Sequence, residues 1–142
     1  EIFSSYIIQN KQKLRKSVSE IIKYSKDNKI KLGFSTSTTI NNVEAVFNSL
    51  DGQIEKADFH FIGNKSLVKN EKPFPDIYKV ALANLNLKPE ECLAIEDTEE
   101  SSNSAVDAGI KCIGFPGNYH KEDTFNMCIK KMNLLDQSIF SL

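Results

Sequence analysis

Four short apolar runs, the first three each followed by a helical pattern, constrain this chain more than any other feature. IKLGFST (residues 30–36) precedes Val43, Val46, Phe47 and Leu50, spaced i, i+3, i+4, i+7. ADFHFI (57–62) leads through a polar loop to a helix with Ile77, Val80, Ala81 and Leu85 on one stripe. CLAIE (92–96) is followed by Ala105, Val106 and Ala108 on a helix that should end at Gly109 in a left-handed cap, and KCIGF (111–115) is the last run. Buried strands alternating with helices at this spacing indicate βαβ units and a mostly parallel sheet, an α/β fold in one domain.

The local signals agree with that division. Thr39 is placed to cap the helix after the first strand. In KPFPDIY, Pro73 disfavours helix at Lys72, whereas Pro75 suits a first helical turn and Asp76 complements its positive end. Upstream, Ile2, Phe3, Tyr6 and Ile7 recur at helical spacing, as do Leu14, Val18, Ile21 and Ile22 in a helix running to about Asp27. From Lys121 the tail reads as helical and then irregular. The chain opens with Glu1 inside a helical pattern, so the expectation is a fragment or a processed piece.

Composition removes several function classes. The chain has 142 residues, 40% hydrophobic and 26% charged, with 18 basic against 19 acidic side chains and a formal charge of -1. That balance lacks the basic footprint of a protein for nucleic acid or anionic lipid. No apolar run nears the roughly 18 to 20 residues that span a bilayer, and the N-terminus lacks the order of a signal peptide. A cytoplasmic protein is expected, with an organelle matrix also open. Cys92, Cys112 and Cys128 show no metal-ligand spacing, which argues against a zinc site or a disulfide framework; Cys92 and Cys112 read as small buried hydrophobes.

In an open parallel sheet, ligands bind beyond the carboxyl ends of the strands, so the residues standing there carry the chemistry. The first strand ends in Thr36, Ser37 and Thr38, the segment after the second offers Lys72, and the third ends in Glu96 and Asp97. Adjacent buried carboxylates repel unless a cation compensates, and magnesium typically takes one or two carboxylates plus phosphate and water. Read singly, the acids are equally a solvated loop, Lys72 a surface lysine and Thr36 a helix-capping hydroxyl. The prolines around Lys72 fix its backbone, which suits a cation held against phosphate oxygens.

Taken in order, LGFSTSTTINNVEAVF, KPFPDIY, ECLAIEDT, DAGI and FPGNYH resemble the second, third and fourth motifs of haloacid dehalogenase superfamily hydrolases, more narrowly the CbbY-like and beta-phosphoglucomutase-like branch. The resemblance runs from about Leu14 to Phe125. It implies a Rossmann-like three-layer parallel sheet and an aspartate-nucleophile phosphoryl transfer assisted by Mg2+. Thr36 would hydrogen-bond the transferring phosphoryl group, with Ser37 and Thr38 as further phosphate donors. Lys72 would offset charge on nucleophile and phosphate, and Glu96 and Asp97 would hold the metal. The implied partner is a small phosphorylated metabolite, with the full-length protein monomeric.

Departures from that pattern shape the expectation. The family's D-x-D nucleophile motif occurs nowhere in the sequence, and only residues 1–10 resemble the helical cap, as its last helix. Residues 11–142 then form an incomplete core. In the family the first strand lies between those read here at 30–36 and 92–96, so its absence should leave a gap. Ser101 and Ser102 stand where glycine and an aliphatic residue are usual, and Lys16-Ser17 where Pro-Gly is common. The resulting expectation is a magnesium-dependent phosphatase of small phosphorylated sugars, present without its nucleophile and inactive alone. A phosphosugar mutase and a non-catalytic phosphate- or partner-binding remnant are the alternatives. A receiver-type signalling domain is disfavoured because it orders its acids first and its lysine last. His60, mid-strand, and His120, in a loop, are not assigned acid/base roles.

Overall fold

The computed structural model describes residues 14–50 and 52–142; the helix expected within residues 1–10 lies outside them. Nine elements follow in order: α1 (Lys16–Asp27), β1 (Gly33–Phe34), α2 (Ile40–Leu50), β2 (Phe61–Ile62), α3 (Asp76–Leu85), β3 (Leu93–Glu96), α4 (Glu99–Asp107), β4 (Lys111–Gly114) and β5 (Lys130–Lys131). Short 3-10 turns at Lys56–Asp58, Lys65–Leu67, Pro89–Glu91 and Gln137–Ser141 join or follow them.

All strand pairing among the described residues is parallel. β1 pairs with β2 in the register Gly33 to Phe61. β3 pairs with β4 from Leu93–Lys111 to Glu96–Gly114, and β4 pairs with β5 through Ile113–Lys130. The helices cover both faces. Ile77, Tyr78 and Ala81 of α3 and Ala105 of α4 pack with Phe61, Ala94 and Cys112 on one side. Val43, Val46, Phe47 and Leu50 of α2 pack with Phe34 and Ile62 on the other. Ile21 of α1 joins Ile113, Phe115, Leu135 and Ile139 in a third cluster. Burial of these stripes is the main favourable term holding the layers together.

The helix boundaries follow local chemistry. Thr39 Oγ1 accepts from the Asn42 amide at 3.2 Å and caps α2 as expected. α3 begins at Asp76, directly after Pro75, and ends at Asn86 in the left-handed conformation, φ 55. Gly109 follows α4 at φ +84, a value that glycine adopts without steric cost.

Three expectations change. The first two strands are shorter than their apolar runs, two residues each, and Lys56–Asp58 forms a 3-10 turn where strand was expected. His60 is an exposed residue before β2 whose Nδ1 accepts from the Leu32 amide at 3.1 Å. It joins two chain segments instead of packing inside a strand. The tail beyond Lys121 is not α-helical: it supplies β5 and the last 3-10 turn, with Phe125 and Leu135 buried from irregular backbone and Ile139 from that turn.

The strands form two separate sheets, β1-β2 and β3-β4-β5. Between their facing edges lies a cavity of about 1310 Å³, with residues 30–36 along one wall and 92–97 along the other. This is where the resemblance places a further strand.

Candidate functional site

The ends of β1 and β3 meet at this cavity. Thr36, Glu96 and Asp97 all line it. Thr36 is only 1% exposed, and its Oγ1 accepts from the Thr38 amide at 3.3 Å, closing a tight loop that turns the chain from β1 into α2. Thr38 contributes its oxygens to the same loop: Oγ1 accepts from the Asn42 side-chain amide at 2.8 Å, and its carbonyl accepts from the Lys65 amide at 2.6 Å. Ser37 Oγ accepts from the Lys72 backbone amide at 3.1 Å, fastening the lysine-bearing segment to the hydroxyl loop.

Lys72 is held on both sides. A cis peptide bond joins it to Pro73, and its Nζ lies 2.5 Å from Glu96 Oε2, with each side chain 7% exposed. Tyr78, buried on α3, donates its hydroxyl to the same Oε2 at 3.1 Å. The Lys72 ammonium also lies 5.4 Å from the Tyr78 ring centroid, a cation–π distance. The carboxylate of Glu96 thus leaves water with a cation and a hydroxyl beside it, which offsets much of its desolvation cost. Tyr78 was not singled out from the sequence, although it closes the KPFPDIY motif.

Asp97 continues from β3 into a turn ordered by the chain beyond β4. The Phe115 amide donates to the Glu96 carbonyl at 2.8 Å, and the Gly117 amide to the Asp97 carbonyl at 3.1 Å. Arg15, just before α1, grips that same stretch. Its Nη1 donates to the Phe115 and Pro116 carbonyls at 3.3 and 3.2 Å, its Nη2 donates to the Asn133 carbonyl at 3.3 Å, and its guanidinium sits 3.2 Å above the Phe115 ring. Burial lowers the Arg15 pKa from its ordinary value, while the nearby Asp97 carboxylate pulls it upward. Sequence reading missed Arg15 as well, since its partners lie about a hundred residues away.

The head of α4 closes the arrangement. Thr98 Oγ1 accepts from the Ser101 amide at 3.0 Å and caps the helix. Ser104 Oγ donates to the Phe74 carbonyl at 2.7 Å, linking α4 to the proline segment beside Lys72. Ser101 and Ser102 are both buried here, and Ser102 Oγ donates to the Glu99 carbonyl at 2.6 Å. Opposite, Thr124 donates to Glu99 Oε1 at 2.7 Å, and the Glu99 amide donates to Asp123 Oδ2 at 3.1 Å. The Thr124 hydroxyl holds the Glu99 pKa below the ordinary carboxylate value, and the Glu99 amide, with His120, does the same for Asp123.

Among the described residues no group of three or more His, Cys, Asp and Glu side chains gathers. The protein ligands available at the strand ends are therefore the two hard carboxylates Glu96 and Asp97. Two hard carboxylates, one of them already held by Lys72 and Tyr78, are a donor set that magnesium takes together with phosphate and water, and they do not fit a soft or a fully protein-caged metal.

The family model of haloacid dehalogenase-like hydrolases matches residues 1–115. Protein CbbY of Cereibacter sphaeroides is 33% identical over 125 residues, covering 88% of this chain and 54% of that protein. A phosphorylated carbohydrates phosphatase of Thermotoga maritima is 34% identical over 113 residues, 79% of this chain and 48% of that protein. A crystal structure of a CbbY mutant from Rhodobacter sphaeroides in complex with xylulose-(1,5)bisphosphate superposes with a TM-score of 0.82 at 30% identity, covering 92% of this chain and 58% of the other. The chain thus spans about half the length of the curated relatives it matches.

Proposed function

This chain belongs to the haloacid dehalogenase-like hydrolases, in their CbbY-like branch, and on that premise we propose that it carries the phosphate- and magnesium-holding half of a phosphatase site for a small phosphorylated sugar. The observation that carries the reading is the convergence of the hydroxyl loop, Lys72 and the Glu96-Asp97 pair at one end of the cavity, joined by Ser37 to Lys72 and by Lys72 to Glu96. The sugar phosphate is inferred from what related proteins bind or act on: a phosphorylated carbohydrate in one, a ketose bisphosphate in another.

Each residue then has a role set by its position. Thr36 offers a hydroxyl to a phosphoryl oxygen from a backbone already locked by the Thr38 amide, so little entropy is lost on binding. Ser37 and Thr38 shape that loop and present further donors at the start of α2, where the helix end favours an anion. Lys72 supplies positive charge to the phosphoryl group as negative charge builds on it. Glu96 and Asp97 would hold Mg2+, which when bound screens the charge of the phosphate and of these two acids. Tyr78 and Arg15 keep Glu96 and the Asp97 turn in place. No D-x-D occurs in the 142 residues, so the attacking carboxylate of this reading is not among them.

The test is release of inorganic phosphate from a panel of sugar phosphates with Mg2+. The 142 residues alone should give no turnover. The same chain joined to a family first-motif strand bearing D-x-D should turn over, and D97N or K72M in that form should reduce the rate by roughly a hundredfold or more. Robust turnover by the 142 residues alone would sink the reading, as would inactivity of the joined form on every sugar phosphate tried.

A further inference from the structure

The fold brings together two cysteines that stand 16 residues apart in the sequence. Cys112 lies in β4 with no exposed surface, and Cys128 is partly exposed in the turn that leads into β5. Their backbones are tied directly. The Ile129 amide donates to the Cys112 carbonyl at 2.9 Å, and the Cys128 amide donates to the Phe125 carbonyl at 2.9 Å. Cys128 packs against the same apolar cluster that encloses Cys112, and its thiol is close enough to help raise the Cys112 pKa. Cys128 immediately precedes Ile129, which stands opposite Cys112 as the β4–β5 register continues, and a disulfide needs its two Cα atoms roughly 4.4–6.8 Å apart. We propose that Cys112 and Cys128 are an oxidative modification site, forming an intramolecular disulfide on exposure to a hydroperoxide.

The order of events follows from exposure. Cys128 is the thiol that a small oxidant reaches. Its sulfur, having lost its proton, attacks a peroxide oxygen; the O–O bond breaks, and the departing hydroxide takes up the proton and leaves as water. Cys128 is then a sulfenic acid. The Cys112 sulfur attacks the Cys128 sulfur, the S–O bond breaks, and the hydroxyl leaves as water with the Cys112 proton. Two thiols lose two electrons in all, and one peroxide is reduced to two waters. Burial, with the Cys128 thiol and the Glu96 carboxylate adding to it, pushes the Cys112 thiol far above its ordinary pKa. Exposure is what divides the roles: the partly exposed Cys128 meets the oxidant first, and the enclosed Cys112 resolves it.

The bond would act close to the strand-end residues. Cys112 pairs in register with Ala94, two residues before Glu96. Thr124 and Asn126, just upstream of Cys128, both donate to Glu99 Oε1 at the head of α4. A link from β4 to residue 128 would therefore fasten the strand beside Glu96 to the segment that holds the helix after Asp97.

The experiment treats the folded 142-residue chain with hydrogen peroxide and then alkylates, digests with trypsin and weighs the peptides. Trypsin places Cys112 in 112–121, Cys128 in 122–130 and Cys92 in 80–111, so each thiol reports separately. The expected result is a fall from three alkylatable thiols to one, with 112–121 and 122–130 joined, two hydrogens lighter than their sum, and restored by dithiothreitol. C112S should stop at a singly oxidised Cys128, which a sulfenic-acid probe captures. Three intact thiols, a link involving Cys92, a Cys128 sulfinic acid without a link, or a link that forms only in urea would each overturn the proposal.

Discussion

The Tyr78 hydroxyl and the Lys72 ammonium reach one and the same oxygen of Glu96, at 3.1 and 2.5 Å, in a setting where each side chain is nearly out of water. Tyr78→Phe removes the hydroxyl and keeps the ring that packs with Ile77 and Ala81. A hydrogen bond to a charged group contributes about 1.5–3 kcal/mol. Y78F is therefore expected to lower unfolding free energy by about that amount in urea titrations, with an unchanged m-value. A loss below about 0.5 kcal/mol would mean that Lys72 alone satisfies the carboxylate.

Removing Lys72 should cost more than removing the charge it faces. Lys72→Met leaves Glu96 buried without its cation, and breaking one side of a buried pair typically costs about 3–5 kcal/mol. Glu96→Gln in that background takes away the uncompensated charge and should recover part of the loss. The measurement is a double-mutant cycle by urea unfolding. A coupling near zero would show that the two side chains act independently in solution.

Much of this site was legible because its signals are local. Pro75 and Asp76 marked the start of α3, Thr39 capped α2, and the acids followed directly on an apolar run. What escaped notice depends on distant partners. Tyr78 sits beside the apolar stripe of α3, and only the Glu96 side chain, 18 residues on, gives its hydroxyl a role. Arg15 acts on carbonyls at Phe115, Pro116 and Asn133, which no local pattern could place near it. β5 is a pair of exposed lysines whose strand character comes from β4 alone, with charge on an edge strand where it discourages further pairing. The short β1 and β2 have the opposite cause: each has strand pairing on one edge only among the described residues, so ladder bonds end before the apolar run does.

Gly63 marks a contact where the site tolerates no side chain. A Cβ there would stand 2.8 Å from the Thr36 carbonyl oxygen and 2.7 Å from Ile77 Cδ1, both closer than real Cβ contacts. Gly63→Ala is expected to destabilise by about 1–3 kcal/mol, because backbone at Thr36 and a fully buried isoleucine must both give way. Gly33→Ala is the control, since its nearest neighbour would be Leu85 Cδ1 at an ordinary 3.5 Å. Equal midpoints for the two variants in urea would contradict this packing.

The pH dependence of stability should carry a mark of the pair between α1 and the turn before β2. Lys26 Nζ donates to Asp58 Oδ1 at 2.6 Å, and the Glu55 amide donates to Asp58 Oδ2 at 3.0 Å. The Lys26 bond, and after it the Glu55 amide, hold the Asp58 pKa below its ordinary value. The same Asp58 bond raises Lys26 above its own. A depressed acid contributes stability that is present above its unfolded pKa, about 3.9, and is lost as pH falls through the folded value. A raised base contributes stability that is complete below its unfolded pKa, about 10.4, and is lost as pH rises through the folded value. The pair therefore contributes fully from about pH 5 to pH 9 and fades at both ends. Asp58→Asn keeps an acceptor for the Glu55 amide and removes the charge. Its urea midpoint should lie below that of the unsubstituted chain at neutral pH, and the difference should close as acid takes the pH down through the folded Asp58 pKa. A gap of constant size across that acid range would assign the effect to the Glu55 contact and not to the ion pair.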